Sequence, residues 1–364
     1  MSMSTGDNAS IARRSNIPLD ALTSLRFFAA LAVVFYHSGA GFAANSHFAP
    51  KIIENLLNNG WLGVPFFFIL SGFILSYAHR DIHFDTIELK SFVVARFARL
   101  YPVYLLALLI SAPFVDHFNL RTDWFQFVLL QTWFPRSGAT DWNFVAWTLS
   151  VEAFFYLIFP MAFIFIRKLP TPKLLGGLGV TVGALSLIWL NMTPQLGDGE
   201  LSLFGMLAPL PRPLLRVPEF VYGMFLGVLF LRGLFTRSPW VAYAALATVV
   251  IAAASSTADL SQTIALLAFG PLILSLATIG KDSFIRRILG NPLLVVLGGA
   301  SYTLYLLQYP LRKYMAAFVP DPWQICARVA FAPALVCVSV FVFHYYEGPM
   351  RRILRRAFDP VGRS

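Results

Sequence analysis

Charge and cysteine are both scarce. Asp, Glu, Lys and Arg make up only 13% of the 364 residues, against roughly 25% in an average soluble domain, which excludes an ordinary soluble globular fold. The two cysteines, Cys326 and Cys337, fall in one predicted helix ~16 Å apart along its axis, too far for a disulfide. No metal-ligand spacing surrounds them, and no metal is expected. Internal repeats and low-complexity tracts are absent, which weakens readings based on repeat-built transporters. Long polar stretches are missing too, because apolar segments recur from residue 22 to residue 346 with only short polar interruptions.

What is present is hydrophobic: 57% of the residues, with a mean hydropathy of +0.67. The predicted fold class is all-α, a polytopic integral membrane helical bundle of about ten transmembrane helices with both termini cytoplasmic. The spans fall at 22–42, 61–79, 101–116, 144–166, 174–190, 217–235, 240–257, 262–280, 293–319 and 324–346. Residues 124–134 are apolar but too brief to cross, and their tryptophans and flanking charges predict an interfacial or re-entrant segment. The chain divides into a cytoplasmic tail (1–20), a transmembrane domain (21–347) and a basic cytoplasmic tail (348–364). Arg13 and Arg14, an apolar run, and then Ala43 and Ala44 imitate a secretory signal; Arg26 and His37 inside the run argue for a retained helix.

Charge placement supports this topology. With both termini inside, nineteen of the 28 Lys and Arg residues fall in cytoplasmic regions and five in outer loops, as the positive-inside rule requires. The net charge of +10 is thus spread among loops rather than gathered in a patch, and no nucleic-acid partner is expected.

Two costly residues stand inside the first span. From Arg26 to His37 a helix turns about 1100°, so both project within roughly 20° of one face, ~16 Å apart. Ionisable groups at membrane depth usually face a bundle interior or a cavity; snorkelling of each to its nearer interface is the plain alternative. Arg26, near the cytoplasmic face, suits a phosphate-bearing ligand. His37, nearer the outer face, can take and return a proton.

Other chemistry-bearing residues sort by depth. Arg96 and Arg99 in FVVARFARLYP lie one turn apart, either as topological anchors or as further phosphate-binding charge on Arg26's side. Glu152 in NFVAWTLSVEAFFYLIFP sits within a span that starts outside; it is expected to orient and charge-stabilise His37, or to pair with a structural Arg, or to face a vestibule. Trp147 and Ser150 stand near it as substrate contacts, with Trp147 equally an interface anchor. Gly63, Pro65, Ser71 and Gly72 predict close helix approach. Arg212, Arg216 and Glu219 mark an outer mouth or a solvated helix start. Tyr302, Tyr305 and Gln308 in GGASYTLYLLQYPLRK are polar groups inside a span that need partners. HYYEGPMRR, at the end of the last span, reads mostly as a topology signal.

Together these blocks resemble the acyltransferase family 3 membrane proteins, over residues 19 to about 352. The resemblance rests on the Arg, ten residues, then His at Arg26 and His37, on FFFILSGF, RFARLYP, WTLSVE ending in Glu152, and SYTLYLLQYP. The chain departs from the pattern at Gln308, where family members often carry His. The resemblance implies a membrane O-acyltransferase like the xanthan-type exopolysaccharide acetyltransferases, in the bacterial inner membrane. Acetyl-CoA from the cytoplasm would be the acyl donor and a sugar hydroxyl of an exopolysaccharide, or of its lipid-linked oligosaccharide unit, the acceptor. Arg26, Arg96 and Arg99 would hold the CoA phosphates, His37 would be the general base with Glu152 orienting it, and Trp147, Ser150, Tyr302 and Gln308 would contact substrate. Membrane lipids and other polysaccharide-synthesis membrane proteins are expected partners. The rival reading is a transporter or flippase of lipid-linked sugars, with Arg26 and His37 lining its conduit.

Overall fold

Inside a bilayer a continuous apolar segment can satisfy its backbone groups within itself only as a helix. The computed structural model describes residues 19–45, 50–115, 119, 122–134, 142–191, 210–235, 238–280 and 283–358, and among these the regular structure is helical, with no strand. Arg13, Arg14, Arg121, Arg136, Arg237, Lys281 and Arg363, part of the predicted charge bias, lie outside the described residues.

In chain order the helices are α1 (Asp20–Asn45), α2 (Lys51–Asn58), α3 (Gly63–Ala78), α4 (Thr86–Ser111), the short α5 (Trp124–Phe127), α6 (Trp147–Lys168), α7 (Thr171–Trp189), the short α8 (Arg212–Leu215), α9 (Val217–Arg232), α10 (Pro239–Ser255), α11 (Asp259–Thr278), α12 (Phe284–Leu289), α13 (Pro292–Gly299), α14 (Ser301–Phe318), α15 (Gln324–Val342) and α16 (Gly348–Phe358). A π-helical turn, Phe343–Glu347, joins the last two. Each of the ten predicted spans is helical. Among the described residues seven helical stretches are long and apolar enough to cross a membrane, or eight if α13 and α14, bent by 54°, count as one span. The other two, α9 with 16 residues and α10 with 17, are shorter than a ~30 Å hydrocarbon core at 1.5 Å per residue.

One boundary differs from the sequence expectation in a way that matters for the site. The span predicted at 101–116 begins at Thr86, so Arg96 and Arg99 sit within α4 rather than ahead of it. A reciprocal cap starts that helix early: Asp85 Oδ1 accepts from Glu88 N at 2.8 Å, while Glu88 Oε2 accepts from Phe84 N at 2.8 Å and His83 N at 3.0 Å. This varies the capping box, with Glu88 reaching the two amides ahead of the cap residue rather than the cap's own.

Helix α1 packs one side against α3, α13 and α14 and leaves Phe28, Phe35 and Tyr36 exposed. The 122–134 segment is the short α5 followed by turns, and protein groups satisfy its backbone as burial demands. Tyr104 Oη donates to Gln126 O at 2.6 Å and Tyr101 Oη to Phe127 O at 3.0 Å. Among the predicted small residues, Gly72 and the facing Gly223 let α3 and α9 touch backbone to backbone: a Cβ on Gly72 would strike Phe220 O, and one on Gly223 would strike Ile69 O.

Candidate active site

Two spaces meet at Arg26. The first is a basin of about 510 Å³ at the end of the bundle where α1 begins and α3 ends. Its wall carries the arginines Arg26, Arg96, Arg99, Arg351 and Arg355 against only Glu88 and Glu347. The second is a largely apolar cavity of about 160 Å³, reaching from Leu22 and Arg26 to Phe67, Phe68, Thr148 and Tyr305 and bearing Glu152 on its wall. Arg26, Arg99 and Tyr302 line both, so the three form the threshold between them. The break between α13 and α14 places Ser301 and Tyr302, the first residues of α14, on the cavity wall.

The threshold is charged. Glu152 engages Arg99, Arg26 and Arg96 electrostatically and accepts a hydrogen bond from Tyr156. Tyr302 Oη donates to Leu100 O at 2.7 Å, fixing its ring across the opening. Arg96 lies 5.7 Å from the Phe92 ring and 5.9 Å from the Tyr156 ring, and its buried Nε has no hydrogen-bond partner. A buried, unpartnered guanidinium donor is costly.

His37 lies in a different place. It borders a narrow crevice with Val34, Val145, Gln308 and Arg312. Its Nδ1 lies 2.9 Å from Val33 O; a carbonyl only accepts, so Nδ1 carries the proton and Nε2 keeps its lone pair. Tyr36 and Phe144 meet the ring edge-on at 5.0 and 6.1 Å between centroids, and Arg312 Nη1 donates to the His37 carbonyl.

Glu152 and His37 therefore do not form the expected pair. His37 is level with Phe144, just ahead of α6, whereas Glu152 is eight residues farther along, roughly 12 Å deeper at helical rise. That depth sets Glu152 among the arginines at Arg26's level, and the Val33 carbonyl orients the imidazole instead. One contact links the two walls: Tyr305, on the cavity wall, donates its hydroxyl at 3.0 Å to the carbonyl of Val145, on the crevice wall.

The remaining predicted site residues are dispersed. Ser150 is fully buried and accepts from Thr132 Oγ1 at 2.7 Å, so its hydroxyl is engaged away from the cavity. Trp147 is covered by Arg212 at 5.5 Å and Arg216 at 5.8 Å. Gln308, 2% exposed, donates Nε2 to Tyr305 O at 2.9 Å and leaves Oε1 without a partner in His37's crevice. Among the described residues no group of three His, Cys, Asp or Glu side chains is gathered to hold a metal ion.

Comparison with known proteins decides the class. A family model described as an acyltransferase domain matches residues 19–344. The chain belongs to the acyltransferase 3 family. It is 28% identical to Acyltransferase MdmB of Streptomyces mycarofaciens, over 93% of this chain and 93% of that protein. It is also 25% identical to Peptidoglycan O-acetyltransferase OatA of Listeria monocytogenes serovar 1/2a, over 93% of this chain but only 57% of that protein. No solved structure matches. As a member of this family the chain is a multi-pass membrane acyltransferase, and its relatives' names point to O-acyl transfer.

For this acyltransferase, sequence reasoning missed several residues. Tyr156 follows Glu152 by four residues, the spacing at which helix side chains meet, and hydrogen-bonds it. Arg351 and Arg355, taken as topology charges, have the same spacing and turn one face of α16 into the basin. Glu347, buried in the π-helical turn, accepts from Thr303 Oγ1 at 2.6 Å and borders the same basin.

Proposed function

We propose that this acyltransferase is an inner-membrane O-acetyltransferase that takes acetyl from cytoplasmic acetyl-CoA and passes it to a sugar hydroxyl of an exopolysaccharide or its lipid-linked repeat unit. One observation carries the reading: an arginine-walled basin opens at Arg26, Arg99 and Tyr302 into a narrow, largely apolar cavity. Phosphates suit the first, since guanidinium forks match their oxygens and hold charge. A slender pantetheine arm suits the second. The basin lies at the cytoplasmic end under the positive-inside assignment, the compartment that supplies the donor.

At the far end His37 acts as general base. Its Nε2 takes the proton of the acceptor hydroxyl while that oxygen attacks the thioester carbonyl. The new C–O bond forms, the C–S bond breaks, and the imidazolium returns its proton to the departing thiolate, leaving an acetyl ester and free CoA. The Tyr305–Val145 contact links the walls of the two spaces, and on this reading it parts for transfer. Other polysaccharide-synthesis membrane proteins would deliver the acceptor. The test is the acetyl content of the host's extracellular glycan by NMR, with wild type, no protein, and His37→Ala. The reading expects acetyl only with wild type and an unchanged sugar backbone in all three. Loss of polymer export without the protein supports the transporter instead.

A further inference from the structure

The crevice beside His37 holds two groups that the transfer chemistry leaves idle, Gln308 and Arg312, and Lys313 adjoins it across the ring of Tyr309. Gln308 is 2% exposed, and because its Nε2 must donate to the Tyr305 carbonyl, its free atom is the carbonyl Oε1. The other two are cations. Arg312 lies on the crevice wall, 5.9 Å from the Tyr309 ring. Lys313 follows it, with Nζ 5.2 Å from the Tyr309 ring and 5.8 Å from the Phe114 ring. Both are half-buried within the outer part of a span. Among the described residues the ion pairs join Lys51 to Glu54, Arg80 to Asp81 and Arg216 to Glu219, so no carboxylate pairs with either cation.

Two cations that share the Tyr309 ring, with no carboxylate paired to either among the described residues, repel one another and cost free energy at membrane depth. Ring faces recover only part of that. An anion arriving with the substrate recovers the rest. We propose that Arg312 and Lys313 form an anion subsite for the acceptor, so that the acceptor of this acyltransferase carries a carboxylate or phosphate close to the hydroxyl that receives the acyl group. Gln308 Oε1 accepts a neighbouring hydroxyl of the same sugar, and His37 Nε2 faces the reacting one. The inference rests on the proposed transferase reading and deepens it by naming the acceptor's charge. Two sources share this chemistry: a uronate carboxylate on the sugar, and the phosphate of a lipid carrier.

The test uses the full chain in lipid nanodiscs and reads thermal stability with each of three probes: an aryl glucuronide, an alkyl glucosyl phosphate and a neutral aryl glucoside. The anionic probes are expected to raise the melting temperature and the glucoside to leave it unchanged. A response to the glucuronide alone assigns the uronate, and one to the phosphate alone assigns the lipid carrier. Lys313→Gln is expected to weaken anionic-probe binding about tenfold, the scale of one charge-assisted hydrogen bond, whereas Lys313→Arg retains it. Equal response to all three probes, no response to any, or undiminished anionic binding in Lys313→Gln overturns the subsite. Acetyl-CoA binding is measured on the same samples; if it persists while anion selectivity is absent, the subsite fails and the transferase reading stands.

Discussion

His37 donates its Nδ1 proton to the carbonyl of Val33, 2.9 Å away and one turn back on the same helix. The neutral ring's tautomer is therefore set by α1, with no carboxylate behind the ring among the described residues. A general base of this kind contributes about 10²–10⁴-fold. His37→Gln is expected to lower acetyl transfer by that factor while leaving acetyl-CoA binding, read by calorimetry in nanodiscs, within about twofold of wild type. A matching loss of donor binding would place His37 in the donor site instead.

Glu152 has a different task, and its mutation should show it. It is surrounded by Arg99, Arg26 and Arg96, and removing its charge leaves three guanidiniums facing one another. Breaking a buried charge cluster costs up to about 3–5 kcal/mol, an upper bound here because Glu152 is only half-buried. Glu152→Gln is expected to lower the melting temperature and raise KM for acetyl-CoA while the pH–rate profile keeps its shape. A displaced profile would restore direct pairing with His37.

Arg96 separates phosphate capture from topology. Its unpartnered Nε and its place in the basin predict that Arg96→Ala weakens acetyl-CoA binding about tenfold or more, since bonds to charged groups are worth ~1.5–3 kcal/mol. The defect should be smaller for acetyl-pantetheine, which lacks the nucleotide phosphates. A topological anchor would instead change the amount of protein inserted and leave donor affinity intact.

On the proposed route, the bond from Tyr305 on the cavity wall to Val145 on the crevice wall lies between the donor and acceptor ends. Tyr305→Phe keeps the ring and removes its bond to Val145 O, a contact worth about 1 kcal/mol net. Easier parting is expected to leave KM for the donor unchanged and to increase uncoupled acetyl-CoA hydrolysis, measured as free thiol released without acceptor. Unchanged thiol release would show that the contact does not limit access.

Helices and their order were legible because hydropathy alone marks them: all ten predicted spans are helical. Spacing along one helix predicts a shared face for Arg26 and His37, but the two line separate spaces. Pairing between helices was not legible, because it depends on relative depth. Residue type lets Glu152 either orient His37 or pair with a structural Arg, and the start of α6 beside His37 carries it down to the arginines. The same limit hid Arg351 and Arg355, whose approach to the basin depends on how α16 packs against α4. Ser150 misled for a further reason: sequence could not show that Thr132, on a segment too short to cross, would occupy its hydroxyl.

The α3–α9 contact gives a prediction about stability rather than chemistry. Gly72 faces the Phe220 carbonyl and Gly223 the Ile69 carbonyl, so each glycine fits the other helix's backbone with no space for a methyl group. In a membrane, where lipid tails compete with apolar side chains for the same contacts, this close approach supplies much of the association energy. Gly223→Ala must push the helices apart, and overpacking of this kind costs about 1–3 kcal/mol. Gly176, on α7, is the matched control, because a Cβ there meets nothing within 4 Å. Thermal unfolding in one detergent should therefore show a clear drop for Gly223→Ala and none for Gly176→Ala, since replacing a helical glycine without a clash is neutral or mildly stabilising. Equal effects of the two substitutions would mean that helix propensity, not the backbone contact, governs both positions.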